Sequence, residues 1–541
     1  NFCSSNCLIK MFNSDGYEIA VLDKIFERFS NNLNESDFLE ISKPVEEIAL
    51  PDPTQIDGMT KITDRIFKAI NNKEKIIIYG DYDCDGISAT TIMVKTFQQL
   101  NYKVQYYIPS RYIDGYGLNI ENVIKIHDSG FNLIITVDNG ISAHEAIDKA
   151  NELGIDVIVV DHHDLPEIPV NAFGILHPEY SHISNINASG AFTALFLSAA
   201  LLGKYDDYLV TVAGISIISD SMEVKGYNRD VLKLSIRNLE KHKYKPLVYL
   251  MDDYTYNERT YGFQICPKIN AIGRVVEDTT INRMVAYLVS ENEDEIFKLS
   301  SWIKNTNELR KTIQKEAVDS LPTNVNGEEG IVFISTANAG MVGLIANQVT
   351  NKFNTASVIL TEDPKNPEYL VGSARSKEGI NLQNAFKYLN NYLIAGGGHA
   401  YAAGLTIKKT DYQNFKEDFH LYCRNNKTDS AQIKAVEISL NEVNFENYSM
   451  LRKFAPFGEG FKEPLFVINN LPTKSLQFIS GGRHLSTPIT INSKIMGWNM
   501  GQSEIKAHNF IDLFGSLTTS IFREKLSLEF RVSDYKLKDS M

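Results

Sequence analysis

Three apolar runs in this chain stop on aspartate. IIIYG at 76–80 runs into Asp81, LIITV at 133–137 into Asp138, and VIVV at 157–160 into Asp161, His162 and His163. Runs that are apolar at every position, not at every second one, suit strands buried on both faces, and such strands belong to parallel sheets covered by helices. A fourth run, VQYYI at 104–108, and the helix-like stretches between the runs extend the pattern. The prediction is an α/β domain built on a parallel sheet. In such a sheet the carboxyl ends of the strands share one edge, where ligands bind. The acids at these ends are therefore expected to meet, although they are far apart in sequence.

Asp81 opens the stretch DYDCDG, which adds Asp83 and Asp85. Carboxylates a few ångström apart raise one another's pKa instead of ionising together, and a bound cation removes that cost. Oxygen donors with histidine nitrogen and no thiolate predict Mn2+ first and Mg2+ second. The number of acids allows two ions, and a pair about 3.5–4 Å apart serves in-line attack of water on a phosphoryl centre. Asp220, at the end of VAGISIISD, is a further candidate. Each acid alone has a plainer explanation, because aspartate after a strand often caps the next helix or forms a turn. Paired histidines, too, are common at solvated strand ends. Repetition at three strand ends is what favours the metal reading.

The 541 residues exceed what one core usually holds. The texture predicts an N-terminal extension over 1–55, the first α/β domain over 56–290, a linking helix over 291–322, a smaller α/β domain over 323–428 and a β-rich domain over 429–541. The helix rests on Ile296, Leu299, Ile303, Leu309, Ile313 and Val318 near helical spacing, with Pro322 as its stop. The second α/β domain rests on GIVFIS at 330–335 and SVIL at 357–360. The last domain, a small β-barrel, rests on short pieces such as AVEISL, PLFVI, PITI, KIMGW and KLSLEFRV.

A net charge of −13 argues against a chain that coats nucleic acid throughout, and leaves room for a local basic groove. Five cysteines, Cys3, Cys7, Cys84, Cys266 and Cys423, show no CxxC spacing, which fits free thiols in a reducing, cytoplasmic setting. The opening NFCSSNCLIKM lacks the pattern of a signal peptide, and Met11 is a candidate start. The uncharged run from Asn187 to Gly203 is short for a bilayer span, which needs about 20 apolar residues, and is expected to be a buried helix.

GDYDCDGISAT (80–90), TVDNGIS (136–142), VVDHHD (159–164) and ISDSMEV (218–224) resemble the successive motifs of the DHH phosphoesterase superfamily, and more narrowly of the RecJ family of single-strand-specific DNA exonucleases. INAIGR (269–274), AGMVGLIA (339–346), GSARS (372–376), GGGHAYAAG (396–404) and PFGEGFKEPLF (456–466) follow in that family's order. The resemblance covers about residues 60 to 541. It implies a DHH domain, a linking helix, a DHH-associated domain and a C-terminal OB-fold. It also implies metal ligands at Asp81, Asp83, Asp85, Asp138, His162 and Asp220, with Asp138 bridging two ions. Asp161 would orient its neighbours, and His163 would face the scissile phosphate. Arg274, Arg375, Gly397, Gly398 and His399 would meet nucleic-acid phosphate. In the OB-fold, Arg483, His484, Lys494 and Trp498 lie in a stretch suited to single strands.

The implied activity is 5′-to-3′ hydrolysis of single-stranded DNA in repair and recombination, by a cytoplasmic monomer with a single-strand DNA-binding protein as a possible partner and no membrane association. The chain departs from the family at Ala337 and Asn338, where a Trp-His pair is usual, and in ISDSMEV, where an alanine-aspartate-valine core is common. These departures would suit a divergent phage or mobile-element member. Two other readings stand beside the exonuclease. One is a nano-RNase or cyclic-dinucleotide phosphodiesterase of the same superfamily, which usually needs neither the long helix nor the OB-fold. The other is an inert scaffold that binds single strands, against which every expected acid and both histidines are retained.

Overall fold

The structure is a computed structural model that describes residues 40–41, 43–184, 186–321, 329–377, 379–426, 435–522 and 525–540. The expected N-terminal extension up to residue 39, with Cys3, Cys7 and Met11, lies outside the described residues, as do Pro322 and the polar linker from 427 to 434. The described chain forms two compact units. One comprises Leu50–Met222 and Leu234–Gln432; the other comprises Glu223–Lys233, Ile433–Met541 and the described part of Asn1–Ala49.

The first unit begins with five parallel strands, β1 (Ile76–Tyr79), β2 (Gln105–Tyr107), β3 (Leu133–Val137), β4 (Asp156–Val160) and β5 (Gly174–Leu176), in the order β2-β1-β3-β4-β5. All four pairings are parallel. Every residue of β1 and β3 is buried, which is why their runs carry no polar alternation. Each such Ile or Val contributes about 1.5–3 kcal/mol by leaving water. The apolar run near 187–203 is the helix Gly190–Leu202, apolar on all sides because it packs between the helices Cys84–Gln99 and Asp207–Ser219. Three free cysteines, Cys84, Cys266 and Cys423, are buried. No helix among the described residues is long and apolar enough to cross a membrane.

The long helix spans Glu293–Asp319. The Asn292 side chain accepts from the Glu295 amide at its start, and Glu293, Asp294 and Glu295 occupy the first turn, where acids favour the helix dipole. It packs on the helix Cys266–Val275 and on the helix Val342–Phe353, and so joins the two α/β sheets of this unit. The second sheet has β6 (Ile331–Ile334), β7 (Ser357–Glu362), β8 (Tyr369–Arg375), β9 (Leu393–Gly398) and β10 (Ala402–Lys408), in the order β6-β7-β8-β10-β9. Only β6 and β7 pair parallel; the other pairings are antiparallel. The runs at 330–335 and 357–360 became β6 and β7. The remaining strands escaped the pattern because glycine and alanine interrupt them: YLVGSAR, LIAGGG and AAGLTIK.

The other unit holds a seven-stranded sheet ordered β11-β12-β16-β17-β15-β14-β13. Its strands are β11 (Val436–Glu437), β12 (Phe466–Pro472), β13 (Phe478–Ile479), β14 (His484–Pro488), β15 (Ser493–Gly497), β16 (Phe510–Phe522) and β17 (Lys525–Lys538). Two sequence expectations need correcting. PITI is not a strand of its own: β14 ends on Pro488 and a turn follows, closed by the Ile489 amide donating to the Ser493 carbonyl. The strands are also not uniformly short, since β16 and β17 form one hairpin of 13 and 14 residues. Within this unit the Arg229 guanidinium donates to the carbonyls of Phe454, Ala455 and Pro456 at 2.7, 2.9 and 2.8 Å, which satisfies three backbone acceptors.

Candidate metal centre and arginine cluster

The carboxyl ends of β1, β3 and β4 bring the acids together. Asp81 follows β1, Asp138 follows β3, and Asp161, His162 and His163 follow β4. Asp83 caps the helix Cys84–Gln99, its Oδ1 accepting from the amides of Asp85 and Gly86 at 2.9 and 3.0 Å, so the plain capping role and a place in the cluster coincide. Asp85 stands in the first turn of that helix. Asp220 ends a different element, the helix Asp207–Ser219. Gly86 is required here, because a Cβ would lie 2.6 Å from the Asp81 carbonyl oxygen.

These side chains offer donor atoms in three overlapping groups, each within 4.8 Å: Asp81, Asp83 and Asp138; Asp85, His162 and Asp220; and Asp138, His162 and His163. His162 Nε2 faces three carboxylates, at 3.2 Å from Asp138, 3.6 Å from Asp85 and 3.7 Å from Asp220. Asp138 belongs to two of the groups and is 3% exposed. It adopts φ 61°, a left-handed conformation uncommon for a side chain with a Cβ and concentrated at functional sites.

The electrostatics fit a cation. Burial first, then neighbouring acids, pushes Asp81, Asp138 and Asp85 above the ordinary carboxylate range, and the same causes push Asp220 up to about 8. Burial holds the His162 imidazole below its usual value, leaving a bare nitrogen available as a ligand. Asp81 Oδ1 and Asp138 Oδ1 are buried without a hydrogen-bond partner among the described residues, an arrangement that is costly unless an ion fills the space. Cys84, between two of the acids, does not compete: its hydrogen bond with Cys266 and its burial hold the thiol well above its ordinary pKa. The donors are mostly carboxylate oxygen with one or two imidazoles and no thiolate, a set that fits Mn2+ and, less well, Mg2+.

Two residues around the cluster could not be found from the sequence. The amides of Gly190 and Ala191 donate to Asp85 Oδ2 and Oδ1 at 2.7 and 2.8 Å, so a helix N-terminus clamps this carboxylate. A Cβ on Gly190 would lie 2.5 Å from Asp138 Oδ1. Neither contact is visible in NASGAF, which reads as core helix.

Asp161 turns away from the cluster. Its Oδ2 accepts from the Ile141 amide at 2.9 Å, while its Oδ1 accepts from the His162 amide at 2.8 Å and lies 2.7 Å from His163 Nδ1. Burial pushes this carboxyl up, but the hydrogen bonds from His163, Ile141 and His162 outweigh it and the net shift is downward. The hydrogen bond to Asp161 in turn raises the His163 pKa to about 9. His163 Nε2 is 3.3 Å from the Tyr116 hydroxyl, and Tyr116 is 56% exposed.

Beside the acids lies a group of arginines. Arg274, on the helix Cys266–Val275, is partly buried, and its Nη1 donates to the Gly340 carbonyl at 3.2 Å. Burial, then the charge of Arg111, with smaller contributions from Arg310 and Arg375, pulls its pKa down to about 10. Arg375 ends β8 and donates to Ser373 Oγ and the Ala374 carbonyl at 2.6 and 2.8 Å. Arg111 Nε and Arg310 Nε are buried without a hydrogen-bond partner among the described residues, while the other nitrogens of Arg310 donate to Asn307 and Gln314 at 2.8 and 3.3 Å. Arg111 lies over the Tyr82 ring, 4.2 Å from its centroid, and Tyr82 meets Tyr116 edge-on. Arg274 and Arg375 were expected from the sequence. Arg111, Arg310, Tyr82 and Tyr116 were not, although RYIDGYG at 111–117 concentrates arginine, tyrosine and turn residues.

Gly397 and Gly398 close the edge strand β9, and His399 follows with its amide donating to the Ala402 carbonyl. Arg375 pairs with Ala402 and Gly398 with Ala403, so the glycines stand two strands from Arg375 in one sheet. Of the OB-fold candidates, which belong to the other unit, Lys494 is engaged by Glu529 at 3.2 Å. His484 and Trp498 meet edge-on with centroids 5.0 Å apart, and Trp498 is exposed.

An open parallel sheet whose carboxyl edge gathers aspartates and a histidine pair is the arrangement that the DHH motifs of the sequence led one to expect. The chain matches the DHH family, N-terminal domain, over residues 75–215, the DHHA1 domain over 329–425 and the RecJ OB domain over 435–534. It is 31% identical over 506 residues to the single-stranded-DNA-specific exonuclease RecJ of Bacillus subtilis (strain 168), covering 89% of this chain and 64% of that protein. Among solved structures it resembles RecJ of Thermus thermophilus in complex with Mn2+ at TM-score 0.77 and 22% identity, covering 93% of this chain and 74% of that one. It also resembles exonuclease RecJ bound to manganese at TM-score 0.59 and 25% identity, covering 70% of this chain and 96% of that one. The chain carries DHH, DHHA1 and RecJ OB domains in that order and is similar to RecJ exonucleases along most of its length. It spans less than two thirds of the length of the Bacillus relative.

Proposed function

We propose that this chain is a metal-dependent phosphodiesterase that degrades single-stranded DNA from its 5′ end. The observation that carries the reading is the pairing of two electrostatically unfinished clusters: buried acids that need cations, and the arginines Arg111, Arg274, Arg310 and Arg375, close enough to perturb Arg274, that need an anion. A phosphodiester bridging metal ions and guanidinium groups satisfies both.

In this reading Asp81, Asp83, Asp85, Asp138, His162 and Asp220 would hold the ions, with Asp138 in two of the donor groups that supply them. Divalent ions there would supply Lewis-acid polarisation of the phosphoryl group and a water ionised at neutral pH, with Mn2+ the first choice and Mg2+ the second. Asp161 keeps the His163 imidazole oriented and protonated, so that Nε2 can donate to a phosphate oxygen or to the leaving oxygen. Arg274 and Arg375 fork onto substrate phosphate, and Arg111 joins them. The backbone at Gly397 and Gly398 admits the strand closely, and His399 donates to it. Tyr116, more than half exposed, offers a ring face on which an unpaired base can stack. The division of labour follows 56–290 for catalysis, 291–322 as connection, 323–428 for phosphate and 429–541 for the trailing single strand. The B. subtilis relative is named for single-stranded DNA, which supports the substrate class; the 5′ polarity and a role in repair rest on the family resemblance. The finer parts of the reading are a cytoplasmic enzyme that works as a monomer alongside a single-strand DNA-binding protein.

The test is digestion of a single strand labelled separately at each end, in Mn2+ and in Mg2+, with a blunt duplex and a dinucleotide as controls. The expected result is release from the 5′ end of the single strand alone. Preference for the dinucleotide, or equal cleavage of duplex, would overturn the reading.

A further inference from the structure

His177 stands one residue past β5, at the same carboxyl edge as the acids, and is 1% exposed. Both of its ring nitrogens meet backbone. The Glu179 amide donates to Nδ1 at 3.2 Å, and Nε2 lies 2.9 Å from the carbonyl oxygen of His163. An amide can only donate, so Nδ1 is the bare nitrogen; Nε2 carries the proton and donates to the His163 carbonyl. The Tyr180 amide returns to the His177 carbonyl at 3.0 Å and its ring lies against the imidazole, centroids 5.8 Å apart, which fixes the histidine itself.

The location of this bond matters. The β4–β5 register ends at Val160 opposite Leu176. One more ladder-like bond follows, the Asp161 amide donating to the Leu176 carbonyl at 3.1 Å. Beyond it no strand is available, and the chain enters the turn carrying His162 and His163. The ring of His163 is held by Asp161, and its carbonyl by His177. Past that carbonyl the chain runs out to Ile168, which is exposed. Among the described residues the His177 bond is therefore the last hydrogen bond between the sheet's edge and the backbone that aims the His163 ring, with the packing of Leu165 on the core beyond it.

We propose that His177 is a positioning residue for His163, tethering the turn so that the imidazole meets the scissile phosphate at a set distance. This rests on the phosphodiester reading above. A displacement of about 1 Å in a reacting group can cost on the order of 10²-fold in rate, so loss of the tether acts chiefly on turnover, while His162 stays held among Asp85, Asp138 and Asp220.

The experiment compares three variants of the full chain with wild type on a single strand and on bis(p-nitrophenyl) phosphate, each in Mn2+. His177→Phe keeps the apolar volume without a donor. His177→Asn places its amide near Nδ1 and cannot reach the His163 carbonyl. His177→Gln places its amide near Nε2. The expected result is that Phe and Asn lower kcat by about tenfold or more while KM and the Mn2+ Kd stay within about twofold, and that Gln recovers most of the loss. In a His163→Ala background His177→Phe should cost nothing further, since the two act as one unit. Hydrogen–deuterium exchange supplies an arm independent of turnover: amides over 162–165 exchange faster in the Asn and Phe variants and not in Gln. Unchanged kcat in both donor-lacking variants, additive losses in the His163→Ala background, or unchanged exchange over 162–165 would each overturn the inference. A wild-type chain that cleaves neither substrate would instead sink the phosphodiesterase reading and leave the exchange arm to decide whether the tether exists.

Discussion

Asp138 is the residue on which the proposed site most depends. It belongs to two donor groups, has a buried oxygen without a hydrogen-bond partner among the described residues and sits in a left-handed backbone conformation. Asp138→Ala, with folding checked by circular dichroism, is expected to abolish nuclease activity in Mn2+; retained activity would contradict the site. Metal affinity should depend on pH. With its pKa at about 8, Asp220 carries a proton at pH 7 in the metal-free protein, and Asp81 and Asp138 are raised in the same direction. A cation must expel these protons, so Mn2+ binding tightens as pH rises towards 8 and weakens as it falls. Calorimetry in buffers of different ionisation heat counts the protons released, and a pH-independent Kd would speak against a proton-bearing cluster. His163 titrates in the other sense: Asp161 raises its pKa to about 9, so the protonated form is lost above that pH. Asp161→Asn should move the alkaline limb of the rate profile down towards the ordinary histidine value of about 6.5.

At the scale of elements, the site depends on how close the helices come to the strand ends. Gly190 lets the helix Gly190–Leu202 approach Asp138 while its first amides clamp Asp85. Gly190→Ala is expected to weaken Mn2+ binding by about tenfold or more, the range typical of groups that orient metal ligands, with helix content unchanged by circular dichroism. Strand burial sets the stability. Ile135 in β3 is fully buried, and Ile135→Ala is expected to cost about 2–5 kcal/mol in urea unfolding. The strands of the first sheet were legible because two-sided burial writes an unbroken apolar run. β8, β9 and β10 were not, because glycine and alanine in GSAR, GGG and AAG carry little burial signal and hold their places through pairing with neighbours distant in sequence.

For the whole molecule, an excess of acidic residues is compatible with the proposed nucleic-acid substrate because the basic charge is local. The arginines gather from the 111–117 loop, the helix Cys266–Val275, the long helix and β8. Binding of single-stranded DNA should therefore weaken with salt, with a slope of about −0.7 per phosphate contacted. Arg375→Ala should make that slope shallower by about one contact in fluorescence anisotropy titrations; an unchanged slope would remove Arg375 from the phosphate path. Much of the protein was written locally: the parallel sheet, the buried helix, the long helix, and the acids expected at one edge. Those features follow from hydrophobic periodicity and from the rule that parallel strands end together, which one stretch of chain can display. Tertiary structure alone decided that Asp220 joins from a helix end, that amides of Gly190 and Ala191 hold Asp85, that His177 reaches the His163 carbonyl, and that four separated arginines converge. Each is a contact between segments far apart in the chain, fixed by the packing of helices on the sheet and by where each ladder runs out.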